Sequence, residues 1–202
     1  VIAETENAII ARLIAASDAG ALGYTYTSVE TYPDDWQSYW KETPVSNFPA
    51  AWVTWAGART LENYGAEARL SHSFGLIVAA QSYRNQTDVR HGEGPAVPGS
   101  YQLSEDAIGL LLGNNLGLPI GGFELGSVQL VALTDQQRQA GLSMIAIELI
   151  TTSIVGSAGF EPDLPDLSEP TAPIVLDVKW DLPPRAGIDA GDTISTEPEE
   201  EA

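Results

Sequence analysis

The feature that most constrains this chain is one long alternating stretch, residues 66–82. Leu70, His72, Phe74, Leu76 and Val78 fall at every second position. Side chains alternate faces along a strand, so this spacing sets a single apolar face on a strand far longer than the usual five or six residues. Such a strand needs partners on both edges and a layer over its apolar face. The sequence supplies candidates for both. Residues 2–16 place Ile2, Ile9, Ile10, Leu13 and Ile14 at helical spacing with Glu4, Glu6 and Arg12 between them, and Asp18, Gly20 and Gly23 end the run. Residues 99–112 form a second amphipathic helix carrying Tyr101, Ile108, Leu111 and Leu112, closed by the left-handed chemistry of Gly113, Asn114 and Asn115.

Further strands are predicted over residues 24–31, 50–56, 127–133 and 142–152. Residues 57–65 read as a turn-rich connection and 84–98 as a loop. The polar TDQQRQAG segment reads as the link of a hairpin. The order helix, three strands, helix, two strands predicts an α+β fold: a two-layer domain, a mixed or antiparallel sheet of about five strands with helices packed on one face. Its expected bounds are residues 1–155.

After residue 155 the composition changes. Residues 156–173 are rich in proline and acid and build no core. Residues 174–182 form a strand-like island, with Ile174, Leu176, Val178, Trp180 and Leu182 on one side and Val175, Asp177, Lys179 and Asp181 on the other. Residues 156–202 are therefore expected to be an extended C-terminal arm whose island adds as a strand to a sheet edge, in the same chain or in a neighbour. Its preceding linker of about 18 residues spans up to about 60 Å when extended.

Charge narrows the partners. The formal net charge is −19, and residues 156–202 hold 12 of the 28 acidic residues but only 2 of the 9 basic ones. Such a chain does not grip DNA by neutralising phosphates. Solubility accounts for the excess, or a surface past which DNA must move without sticking. There is no cysteine, which excludes disulfides and thiolate metal sites. No apolar run approaches 18 residues and residues 1–10 lack a secretory pattern, so neither a membrane span nor a signal peptide is expected.

The chain offers little for catalysis. No G-x-S-x-G elbow, metal-binding histidine pair or phosphate-cradling glycine loop is present. Ser71 and Ser73 flank His72 on a strand and so face away from it; His72 reads as a hydrogen-bonded core or interface residue. Asp34 with Asp35 reads as a solvated turn, and Glu105 with Asp106 as an exposed helix face. No catalytic, cofactor-binding or metal residues are assigned, and no cofactor is expected. The candidate interface residues are different in kind. Trp36 and Trp40 lie in a loop, and Ile174, Leu176, Val178 and Trp180 in the arm; aromatic groups in such segments are typical interface anchors. Arg84 and Arg90, with His91, form a local basic set that either pairs with Asp88 and Glu93 or meets an acidic partner. Trp52 and Trp55 fall on opposite faces of one strand, so one of them needs a cover beyond the main core.

Four segments taken together resemble a known family: IAETENAIIARL (2–13), FPAAWVTWAGAR (48–59), VAAQSYRN (78–85) and PGSYQLSEDAIGLLLGNNLGLPIGGF (98–123). They are similar to the Mu-like prophage tail proteins placed at the tail-terminator position of contractile-tailed phages. The resemblance covers residues 2–155 and implies a structural part with no active site: a homo-oligomeric ring, expected to be a hexamer, in the neck of the virion. Such a ring caps the tail tube and sheath, joins them to the head connector or stopper protein, and lets DNA pass through its lumen. The alternatives are another neck component, such as a stopper or head-completion protein, and more remotely a hydrolytic enzyme.

Overall fold

The computed structural model describes residues 1–35, 39, 47–65, 67–94 and 97–156. Helix α1, Ile2–Asp18, opens the chain. Its N-terminus is held by the Val1 amine, 3.0 Å from the Glu4 carboxylate, and by the Thr5 hydroxyl, which donates to the Val1 carbonyl at 2.7 Å. The buried stripe is Thr5, Ile9, Leu13, Ala16 and Ser17. Ile2 and Ile14, expected on that face, flank it and remain exposed.

Strand β1, Ser28–Thr31, runs parallel to β2, Ala50–Tyr64. Strand β3, Glu67–Gln81, returns antiparallel to β2. Short helix α2, Gln86–His91, and helix α3, Ser100–Leu111, follow. Strand β4, Glu124–Leu130, leads through helix α4, Asp135–Gln139, into β5, Leu142–Gly156. The sheet order is β1-β2-β3-β5-β4, with β1 the one parallel strand, so the sheet is mixed and the class is α+β as expected.

Three local expectations fail for identifiable reasons. Residues 57–65 are strand, not a turn-rich connection. Ala56 is the extra residue of a bulge between Trp55 and Gly57, which adopts φ 133°, and a second irregularity follows Thr60. Gly65, at φ 60°, lies in the turn that follows. Part of the 84–98 loop is helical because the Asn85 side chain caps α2, accepting from the Asp88 amide at 2.8 Å. The hairpin link likewise holds α4, opened by a reciprocal box: the Thr134 amide donates to Gln137 Oε1 at 2.9 Å and the Gln137 amide to Thr134 Oγ1 at 3.3 Å.

The main core lies between the sheet and the helices. Ile9 and Leu13 of α1 and Leu103, Ala107 and Leu111 of α3 pack on Ala51, Val53, Phe74, Leu76, Val78, Ile145, Ile147 and Leu149. Gly99 permits the tight approach at the start of α3, where an added Cβ would stand 2.2 Å from the Arg90 carbonyl oxygen. A smaller cluster, Ala50, Trp52, Ala79 and Met144, occupies the other face, with Tyr32, Tyr39 and Phe48 packed against it.

Candidate interaction surface

The polar groups inside the sheet are arranged for structure. His72 is buried, and its Nε2 lies 2.8 Å from Ser153 Oγ on the neighbouring strand. Its Nδ1 has no hydrogen-bond partner among the described residues, so no carboxylate orients the ring as an acyl-transfer base requires. Burial lowers the imidazole pKa, aided by the Val1 amine. Ser73 points to the opposite face and donates to Glu148 Oε1 at 2.9 Å, while Ser127 donates to Glu148 Oε2 at 3.1 Å. Among the described residues no group of three or more His, Asp or Glu could hold a metal ion. No described helix is long and apolar enough to cross a membrane.

The acidic pairs behave differently from each other. Asp34 and Asp35 are exposed as expected, and so is Glu105. Asp106, expected on an exposed helix face, instead turns Oδ2 into the protein beside the buried Tyr24 and Tyr26. Burial drives both phenols up, Tyr24 far above its ordinary value and Tyr26 to about 12, and Asp106 adds to both. Both phenols are thereby held in their neutral form.

The two described tryptophans separate as predicted by their spacing, with an unexpected outcome. Trp55 is on the helical face, paired with Phe74, yet it is 39% exposed, two residues beyond the last β2 residue that β1 pairs with. Trp52 is on the helix-free face, yet it is 1% exposed, covered by Phe48 and Tyr39 with its Nε1 donating to Tyr39 Oη at 3.1 Å. The cover comes from the segment before β2 in the same chain.

The basic set also divides. Arg84 Nε lies 3.2 Å from Glu93 Oε2, and Ser82 donates to the other oxygen at 2.7 Å, so this arginine is internally paired. Arg90 makes no ion pair among the described residues and lines a cleft of about 480 Å³ with Tyr83, Val89, Leu130, Leu133 and Arg138. Asp88 is engaged by Asn85. Trp36, Trp40, Ile174, Leu176, Val178 and Trp180 lie outside the described residues.

Sequence reasoning missed the most open part of the molecule. All seven residues of β4 are exposed, including Leu125, Val128 and Leu130. β1 covers β2 only at Ala50 to Val53, so the outer edge of β2 from Thr54 to Tyr64 has no strand partner among the described residues. The far end of the sheet also bears Leu61, Tyr64, Ile154 and Val155, all exposed. Both edges therefore present unpaired backbone groups beside apolar side chains, the combination that invites strand addition. The alternation within β4 was the available signal, but a turn-rich reading of residues 57–65 hid the second edge.

Against this geometry, comparison with known proteins gives one decisive match. The model of the family described as "Bacteriophage Mu, Gp37" matches residues 1–154. The chain belongs to that family. It is a Mu-like, phage tail-related family, as the four sequence segments implied. No curated protein matches the chain. Among solved structures, a chain from "Virion of native gene transfer agent (GTA) particle" is similar at 13% identity, covering 77% of this chain and 98% of that one, with a TM-score of 0.49. At that score and identity the likeness carries nothing about function or assembly.

Proposed function

We propose that this member of the Mu Gp37 family is a structural tail protein of a contractile-tailed phage or prophage particle, and that it serves as the tail terminator. In this reading copies form a closed ring, expected to be sixfold, in the virion neck. The ring caps the tube and sheath and meets the head connector. The observation that carries the reading is the family match across residues 1–154. Two features of the molecule support it. The open edges of the sheet differ from each other, which suits a head-to-tail ring better than an isologous dimer. The formal charge of −19 lets DNA pass without being held.

In the same reading residues 1–155 are the assembling body and residues 156–202 an interaction arm, with Ile174, Leu176, Val178 and Trp180 as its anchor face. Trp36, Trp40, Arg84 and Arg90 are candidate contacts with tube, sheath or connector. Nothing in the buried His72–Ser153 pair favours hydrolysis, since the histidine lacks an orienting carboxylate and both groups are shielded from solvent.

Deleting the gene tests the role. The expected particles are full heads without tails, beside tubes or sheaths of abnormal length. Tails of normal length, free of heads, would replace the terminator role with that of a stopper. Intact infectious particles would end the structural reading.

A further inference from the structure

We propose that β4 of one copy pairs antiparallel with the open outer edge of β2, residues 54–64, in the next copy. This makes the five-stranded sheets of the assembly continuous. The inference rests on the ring reading above and names the contact that closes it.

Four observations converge. First, the edges are free. β4 is bonded to β5 alone, and β2 beyond Val53 to β3 alone, with no other backbone hydrogen bond to either edge among the described residues. Second, the directions match. β2 and β5 run one way and β3 and β4 the other. Rotating a copy about an axis roughly along the strands therefore brings β2 antiparallel to β4, the more stable pairing. The edges lie on opposite sides of the sheet, so the contact is head-to-tail and repeats around a ring.

Third, the faces match. Leu125, Val128 and Leu130 pair with Leu149, Ile147 and Ile145, so they project on the helical face. Trp55, Ala58 and Thr60 of β2 project on that same face, opposite Phe74, His72 and Leu70. Joining the edges sets the exposed leucines and valine of one copy beside the exposed Trp55 of the next. On the helix-free face, Glu124 projects with Ile150, and Arg59 projects with Ser71. Neither Arg59 nor Glu124 has an ion-pair partner among the described residues. Glu62, opposite Arg69, projects on that face too, so the joint sets Glu124 of one copy diagonal to Arg59 of the next, with Arg69 on the strand behind Glu62.

Fourth, the levels are compatible. Through the sheet register, Leu130 and Glu124 of β4 stand level with Ala51 and Gly57 of β2. Closing a sheet into a ring requires tilted strands and a stagger between neighbours. A stagger of a few residues moves β4 off the part of β2 that β1 covers and onto its free edge.

The chain has no cysteine, so introduced ones report cleanly. Val128→Cys is combined in turn with Ala58→Cys and Thr60→Cys, and particles are oxidised and run without reductant. The expected result is a reductant-sensitive ladder of covalent oligomers from at least one double variant and none from any single variant. A dimer from Val128→Cys alone would mean two β4 strands meet across a twofold axis and would overturn the proposal. A link from Val128→Cys to Trp180→Cys would assign the β4 edge to the arm and overturn it also. If the chain is in the particles but every double variant stays monomeric, edge pairing is wrong while the structural role stands. Absence of the chain from particles removes the role itself. As an independent check, Glu124→Arg and Arg59→Glu should each lower incorporation several-fold, and the two together should restore it. No rescue by the double reversal would contradict the joint.

Discussion

The two ends of the sheet use the same strands for different purposes. Near its proximal end, β2, β3 and β5 are buried on both faces, by α1 and α3 on one side and by the Phe48, Tyr39 and Trp52 cluster on the other. Toward its distal end the same strands run past their cover. β2 is exposed at nearly every residue after Thr54, Ile154 is 68% exposed, and Tyr64 is 63% exposed. A hairpin open on both faces is marginal in water and depends on the sheet behind it. The proximal half makes the domain fold. The distal half and β4 spend little of their surface on folding, and in the proposed pairing it is they that meet other copies. Substitutions should therefore divide cleanly into those that unfold the chain and those that only prevent it from assembling.

The largest effect is expected at the proximal core. Phe74→Ala removes a fully buried ring that meets Phe123 edge-on at 6.3 Å between centroids. It should cost about 3–5 kcal/mol of stability, as should Trp52→Ala on the other face. Urea denaturation of the full chain measures both. A cost under about 1 kcal/mol for Trp52→Ala would break the claim that the second cluster is part of the fold.

An intermediate effect is expected from His72, which sits where the buried half gives way to the open one. Its folded-state pKa is lowered from the ordinary 6.5. The unfolded chain thus binds the proton more readily, so this contribution is complete above about pH 6.5 and is lost as pH falls through the lowered folded value. His72→Gln should reduce the acid sensitivity of the denaturation midpoint between pH 7 and 5. An unchanged pH slope in the variant would show that the imidazole stays neutral or is solvated in both states.

The smallest effect on stability is expected at the distal end. Ile154→Ser and Tyr64→Ala should change stability by no more than about 0.5 kcal/mol. Their cost should fall instead on incorporation into particles. A loss of stability comparable to that of Phe74→Ala would erase the distinction between the two halves.

What the sequence revealed follows the same division. The alternation from Leu70 to Val78 and the periodicity of α1 and α3 located the buried half, because burial on one face leaves a period in the residues. The distal half leaves none: residues 57–65 pair as strand while exposing both faces, and Gly57 and Gly65 mimic a loop. Asp106 reads as exposed in the sequence because it adjoins the solvated Glu105, and only the fold brings Tyr24 and Tyr26 beside it. Trp52 could be assigned a need for cover but not its source, since Tyr39 and Phe48 reach it through tertiary packing. The sequence leaves Arg84 either paired with a nearby acid or open to a partner, and the structure sets it against Glu93. The family was legible because its segments lie largely in the buried half, where sequence is tied to packing.

The most direct test is a cryo-electron microscopy map of the intact particle at a resolution that traces strands. The expected map shows this chain at the head-proximal end of the tail, in one sixfold ring, with β4 of each copy continuous with β2 of the next. A threefold or twelvefold ring, a position elsewhere in the particle, or copies whose sheet edges remain separate would contradict it.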